Sequence, residues 1–310
     1  MNKLKIHFLN TIWSDAIVLE KNNHFAMVDT GSPFYYPMVN DHLKNNNVNS
    51  LEFIFLTHFH VDHYGNIKNI VNDFKVKTLY MKHYHGLDGT TSSGYASNEE
   101  YIENEFKNYN DIINACSLNG TKIVFVDEHV NDELLINFEG TVLDVYNFNN
   151  LLYDLYSNPD SNFYMQKRFN ENFNCSGIFI KENKYNIFLG GDVTCSISDI
   201  PEVKALSYKM IQKIYQKYNI NHIDLYKSCH HGGGGTNTLD LCRLIKPRFT
   251  IITNTARWLD NWDTYKNLKE GYDDVVILPT DHQKYIFEIS NSITYKIIKE
   301  ESLFLTLNKD

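Results

Sequence analysis

The sequence predicts an α/β (α+β) fold. Three observations carry it: short β-branched or aromatic strands crowd the first third, strands and helices alternate through the second half, and no Pro- or Ser-rich linker divides the chain. Leu4, Ile6 and Phe8 alternate at the outset, and strands follow at Ala16–Glu20, Phe25–Val28 and Phe53–Leu56. Tyr36–Asn46 reads as a helix after Pro33, and Ile67–Asn72 as another before a strand at Val76–Met81. The strongest helix is Ser97–Cys116: Ser97 and Glu100 form a capping box, and Tyr101, Ile102, Phe106, Tyr109, Ile112 and Ile113 make an apolar stripe. Strands are expected at Lys122–Val126, Glu133–Asn137, Val142–Tyr146, Gly177–Ile180 and Asn186–Leu189. Helices at Val203–Tyr218, Thr238–Ile245 and Trp262–Lys269 then alternate with strands at His222–Tyr226, Phe249–Ile252 and Val275–Leu278. Strands Tyr285–Ile289 and Ile293–Ile297 close the chain. We read residues 1–310 as one domain with a long irregular insertion around 149–174.

Composition narrows the function. With 43% hydrophobic residues the 310-residue chain can bury a large core, which excludes wholesale disorder. Its 29 Lys and Arg against 38 Asp and Glu leave a formal charge of -9, which argues against gripping bulk nucleic acid or anionic lipid. No apolar run approaches the ~18–20 residues of a membrane span. Met1–Asn10 reads as a strand rather than a signal peptide and points to the cytoplasm, or to the exterior had a leader been removed. Five cysteines without a C-x-x-C pair read as buried, reduced thiols.

The chemistry concentrates in the histidines. Phe53–Thr57 is an apolar strand running into His58, His60, Asp62 and His63. His58 and His60 share one side of an extended backbone, whereas Asp62 and His63 fall at a helix start. One segment can thus offer two ligands to each of two adjacent metals. Imidazole with carboxylate suits Zn²⁺, Mn²⁺ or Fe rather than Ca²⁺ or Mg²⁺. Two further strands end in candidate ligands, Gly190-Gly191-Asp192 and Cys229-His230-His231-Gly232.

In this order, T-H-F-H-V-D-H-Y-G-N, G-G-D and C-H-H-G-G resemble the metallo-β-lactamase-fold hydrolases. Ser14–Glu20, Phe25–Gly31 and Pro279–Gln283 add a likeness to the branch holding ComEC-type nuclease domains and bacterial phosphorylcholine esterases. The resemblance implies an αββα sandwich with two divalent ions, Zn²⁺ first and Mn²⁺ or Fe as alternatives. His58 and His60 would hold one ion, Asp62 and His63 the other, and Asp192 would bridge them. His230 would complete the second site, with His231 as its rival or a neighbouring donor. Many superfamily members place another histidine between the first cluster and the bridging Asp. Here His83, His85 and His129 lie outside any ligand motif, and Phe173–Ser176 offers Asn and Ser.

The chemistry so implied is hydrolysis by a metal-bridging hydroxide, with Asp62 or His231 passing the proton to the leaving group. A small-molecule or glycopolymer phosphoester is the expected substrate, as the acidic charge and scarce Arg suggest. Tyr153, Tyr156, Tyr164, Trp258 and Trp262 could line a pocket, although ordinary core packing is the favoured reading of them. A nuclease is the first alternative, with Lys167-Arg168, Lys246 and Arg248 its modest basic candidates, and nucleic acid is not the favoured partner. A non-catalytic metal-binding protein is the second alternative. Oligomeric state is not legible in the sequence.

Overall fold

The computed structural model describes residues 3–86, 96–129, 134–147, 171–194, 205–255 and 263–300. The first sheet takes β1 (Leu4–Phe8), β2 (Ala16–Lys21), β3 (His24–Thr30), β4 (Ser50–Phe55), β5 (Lys75–Met81) and β6 (Lys122–Phe125). The second takes β7 (Leu135–Phe138), β8 (Thr141–Tyr146), β9 (Gly177–Glu182), β10 (Tyr185–Leu189), β11 (Leu225–Lys227), β12 (Phe249–Ile252) and β13 (Val276–Pro279). The chain then returns to the first sheet with β14 (Gln283–Ile289) and β15 (Ile293–Lys299), giving the orders β15-β14-β1-β2-β3-β4-β5-β6 and β13-β12-β11-β10-β9-β8-β7. Both sheets pass from antiparallel to parallel pairing, at β3–β4 in the first and β10–β11 in the second. Consequently both sheets gather loops at the C-terminal ends of their parallel strands.

Alternation along the strands sets the layers. Ala26 and Val28 of β3 and Ile187 and Leu189 of β10 point into a shared core between the sheets. Phe25 and Met27 face outward under α1 (Tyr36–Asn45), α3 (Ile67–Asp73) and α4 (Asn98–Asn119), with the one-turn α2 (Val61–Tyr64) between α1 and α3 in the chain. Phe188 faces the opposite outer layer, under α5 (Leu206–Tyr218) and α6 (Leu239–Ile245), while Leu268 of α7 (Thr264–Gly271) packs on a small cluster with Cys242. This is the αββα sandwich that the motifs imply. Among the described residues no helix is long and apolar enough to cross a membrane.

Most expected elements form, with instructive shifts. The strand expected at His222 begins only at Leu225, because the Ile223 N–H bonds the Ile245 carbonyl at the end of α6 (2.9 Å). The Ser97 hydroxyl caps α4 by accepting from the Glu100 N–H, whereas the Glu100 carboxylate reaches the Ala96 N–H (2.8 Å) instead of the cap residue's own. Cys116, Cys175, Cys229 and Cys242 are buried and free, and Cys195 lies outside the described residues. Outside them too lie Tyr153, Tyr156, Tyr164, Lys167, Arg168, Trp258 and Trp262, with most of the insertion.

Two buried polar contacts pin the frame. Lys21 at the end of β2 donates to Glu182 of β9 (2.9 Å) and to the Thr141 hydroxyl (2.7 Å), and that hydroxyl donates to Glu182 (2.6 Å). Removing one partner of such a pair strands a buried charge. Glu182→Ala is therefore expected to cost about 3 kcal/mol in urea unfolding, and an unchanged midpoint would show the pair is dispensable. Under α1, His42 Nε2 lies 3.0 Å from His7 Nδ1. Burial first, then the His7 charge, pushes His42 down to about 3. A depressed histidine stabilises the fold above the unfolded value and loses that stability as pH falls toward the folded one. His42→Gln should accordingly flatten the stability–pH curve between pH 6.5 and about 3 by up to one proton, ~1.4 kcal/mol per pH unit. Equal slopes in denaturation at stepped pH would refute this.

Candidate metal centre

The first sheet supplies one wall of the site. β4 runs on into Thr57, and His60 keeps an extended backbone (φ -113°, ψ 146°), so His58 and His60 leave an extended segment before α2 turns Asp62 and His63 inward. The turn is held from behind. Thr30 donates its hydroxyl to the His63 carbonyl (2.9 Å), and Ser14 donates to the Asp62 carbonyl (2.8 Å). Gly65 makes this approach possible, since a Cβ there would lie 2.3 Å from Pro33 Cδ and 2.4 Å from the Val61 carbonyl.

The second sheet supplies the facing wall. β10 ends at Gly190-Gly191, which presents Asp192, and β11 ends in a short turn carrying His230 and His231. Both histidines have a left-handed backbone (φ 51°), a conformation that costs energy outside glycine and clusters at functional sites.

Asp192 Oδ2 is the hub. It lies 3.3 Å from His63 Nε2, 3.4 Å from His231 Nε2, and 3.9 Å from Nε2 of both His58 and His230. Asp62 Oδ2 lies 3.4 Å from His63 Nε2 and 3.0 Å from His231 Nε2, and His60 Nδ1 lies 2.9 Å from His58 Nε2. The structure thus brings His58, His60, Asp62, His63, Asp192, His230 and His231 together. His231 is fully buried and points into the carboxylates. His230 is partly open, with Nε2 3.4 Å from the Asn172 side-chain amide.

Four carboxyl groups, Asp15, Asp29, Asp62 and Asp192, set the electrostatics. Asp29 accepts from the Thr57 N–H and hydroxyl (both 2.8 Å) and lies 2.7 Å from His63 Nδ1, so the proton sits on Nδ1 and Nε2 is left facing the site. Burial lowers His63, but Asp192, Asp62 and Asp29 override it and hold this imidazole well above its ordinary value. Burial likewise opposes Asp192 and Asp15 at His231, which rises to about 10. His58 goes the other way, pushed well down by burial and by His63 and His60.

These residues fit a divalent cation. His63 Nε2 and Asp192 Oδ1 are buried without a hydrogen-bond partner, and buried polar atoms rarely stay so unless an ion or water completes them. Asp15, His63, Asp192 and His231 each offer one ligand atom, all within 4.8 Å of one another. Mixed imidazole and carboxylate favour Zn²⁺, Mn²⁺ or Fe.

Sequence reasoning left Asp15, Asp29, Lys227 and Thr253 unassigned, although all are buried around the cluster. A signal existed: Asp29 and Lys227 are charges embedded at the ends of apolar strands. His83 and His85 form a separate group, 3.1 and 3.8 Å from Asp127 Oδ2 with His83 stacked on Phe125, and His129 sits in the adjoining short helix. In the stretch without the expected histidine, Ser176 N–H bonds the Thr57 carbonyl (2.9 Å) and Asn174 is held by Lys82.

The Asp192 turn has no room to spare. Gly191 has φ +49°, and a Cβ would lie 2.6 Å from Cys175 Sγ and 2.8 Å from Thr57 Cβ. Gly191→Ala should cost about 2 kcal/mol of stability and weaken Zn²⁺ binding in chelator competition. Wild-type values of both would show that the turn is not the constraint.

Comparison with known proteins bears on the fold. Residues 14–137 match the family model of the metallo-beta-lactamase superfamily. The metallo-beta-lactamase fold protein YhfI from Bacillus subtilis superposes with a TM-score of 0.51 at 12% identity, covering 93% of this chain and 100% of its own. Tm1679, described as a metal-dependent hydrolase of the beta-lactamase superfamily, gives 0.49 at 11% identity over 89% of this chain and 95% of its own. The short form of human tRNase Z gives 0.42 at 13%, over 96% and 100%. No curated protein matches by sequence. The chain thus shares the fold of YhfI, and its first 40% or so, residues 14–137, resembles the metallo-beta-lactamase superfamily.

Proposed function

We propose that this protein is a binuclear metal-dependent hydrolase acting on phosphoesters of small molecules or glycopolymers. One observation carries the reading: the imidazoles of His58, His63, His230 and His231, from the ends of both sheets, converge on Asp192 Oδ2, two of them also on Asp62 Oδ2, with His60 against His58 and buried polar atoms left unpaired. We assign His58 and His60 to one ion, Asp62, His63 and His231 to the other, and Asp192 between them. This exchanges the expected His230 for His231, on the ground that His231 alone of the two is buried against Asp62. Bound cations would supply an acidified water and charge stabilisation for a phosphoryl group.

The chain's own residues do the rest. Asp29 orients His63, and Thr57 Oγ1, 3.1 Å from His58 Nδ1, leaves His58 Nε2 facing inward. Asp62 is partly open to the mouth and within reach of a leaving group, so proton transfer falls to Asp62, with His231 committed as ligand. His230, partly exposed beside Asn172, is placed to donate to a substrate oxygen. A phosphoester of modest size suits the site better than a nucleic acid. Lys246 and Arg248 precede β12, at the end of the sheet opposite Asp192 and His231, and flank nothing in the cluster.

The test is a panel of bis(p-nitrophenyl) phosphate, p-nitrophenyl phosphorylcholine, single-stranded DNA and a thioester, with Zn²⁺- and Mn²⁺-loaded protein. Phosphodiester turnover that falls more than about 100-fold in Asp192→Ala supports the reading. Turnover of the thioester alone, or of nothing, refutes it, and salt-sensitive DNA cleavage would favour a nuclease.

A further inference from the structure

Behind His231 lies a buried pair of opposite charges that ligand duty does not explain. Asp15 stands immediately before β2 and Lys227 is the last residue of β11, and both are completely buried. Lysine is seldom buried fully, because removing an ammonium from water costs several kcal/mol even when paired. Here its Nζ makes an ion pair with Asp15 Oδ2, donates to the Gly191 carbonyl (3.1 Å) and lies 3.7 Å from Asp192 Oδ1. Asp15 Oδ1 accepts from the Thr253 hydroxyl (2.6 Å) and lies 3.2 Å from His231 Nδ1.

We propose that Asp15 and Lys227 form a positioning couple for the metal centre: Asp15 fixes the ring of His231 as a ligand, and Lys227 fixes Asp15 and the turn that carries Asp192. His231 Nδ1 faces two oxygens, Thr253 Oγ1 at 2.9 Å and Asp15 Oδ1. The Thr253 proton is committed to Asp15, so both oxygens present lone pairs and His231 must donate from Nδ1. That leaves Nε2 as the ligating atom, aimed at Asp62 and Asp192. A carboxylate behind a ligating imidazole sets its tautomer and raises its basicity. The strained φ of 51° at His231 gives a reason for so firm a hold. Lys227 also offsets one of the four carboxylates around the site without taking up a ligand position.

The inference rests on reading the site as a metal centre, and not on the substrate. Its test uses Co²⁺ titration followed by d–d absorption, chelator competition and urea unfolding, on the full chain. The proteins are wild type, Asp15→Leu, and the Asp15→Leu/Lys227→Met double variant, which leaves no buried charge unpaired. We expect Asp15→Leu to bind one Co²⁺ equivalent about 10–100-fold more weakly, with an altered spectrum. The double variant should regain stability relative to the single one while keeping the weakened equivalent. Should Asp15→Leu fail to fold, the double variant carries the same reading. Wild-type affinity and spectrum in the double variant would show that the couple serves folding alone and overturn the proposal. Absence of Co²⁺ binding by the wild type would overturn it together with the metal-centre reading, whereas loss of hydrolysis with intact binding would touch only the substrate assignment.

Discussion

Four carboxylates, Asp15, Asp29, Asp62 and Asp192, meet at one end of an otherwise apolar sandwich, and holding them there is the constraint on which the rest depends. Like charges at such distances repel strongly when water is excluded. The fold answers with Lys227, with the imidazoles of His63 and His231, and with N–H and O–H donors from Thr57 and Thr253. The surplus that remains is what a divalent cation would neutralise. Stability and cation binding are therefore two sides of one charge balance.

The architecture explains why that balance is struck at this end. β3 and β4 in the first sheet, and β10, β11 and β12 in the second, run parallel to one another, so each ends beside another strand's end. Residues just beyond those ends leave the sheet together and are free of ladder bonds. His58, Asp192, His231 and Thr253 occupy such positions, and Asp29 is the penultimate residue of β3, at the irregularity in its pairing with β2. The intersheet core fixes the separation of the two walls, and the Lys21–Glu182 contact fastens the sheets elsewhere. Rigid walls spare the site the cost of ordering its own side chains.

The stretch just before β9, where the sequence resemblance leads one to expect a further histidine, holds none. Asn172, Asn174 and Ser176 fill that stretch, with Asn172 against His230 and Ser176 against the Thr57 carbonyl. Neutral amides and hydroxyls there leave the His58–His60 side with fewer charged ligands than the His63–His231 side. Under the two-ion assignment proposed above, this asymmetry would suit unequal ions, one held firmly by carboxylates and a buried imidazole, the other open toward the mouth. The fold persists at 12% identity with YhfI because alternating burial, rather than particular residues, builds the sandwich.

The sequence by itself determined the class of fold and most of the elements, because alternation and helical stripes are local patterns written along the chain. It also determined the first candidate ligand cluster, since His58, His60, Asp62 and His63 are neighbours in the chain as they are in space. Only the tertiary structure sets His231, buried against Asp62, apart from the partly open His230. Adjacent residues of one turn differ by where their side chains point, and that follows from two left-handed backbone positions and from partners on other strands. Only the tertiary structure brought in Asp15, Thr253 and Lys227, separated along the chain by up to 238 residues. Their meeting depends on the stacking of two sheets, a long-range packing outcome that no local pattern encodes.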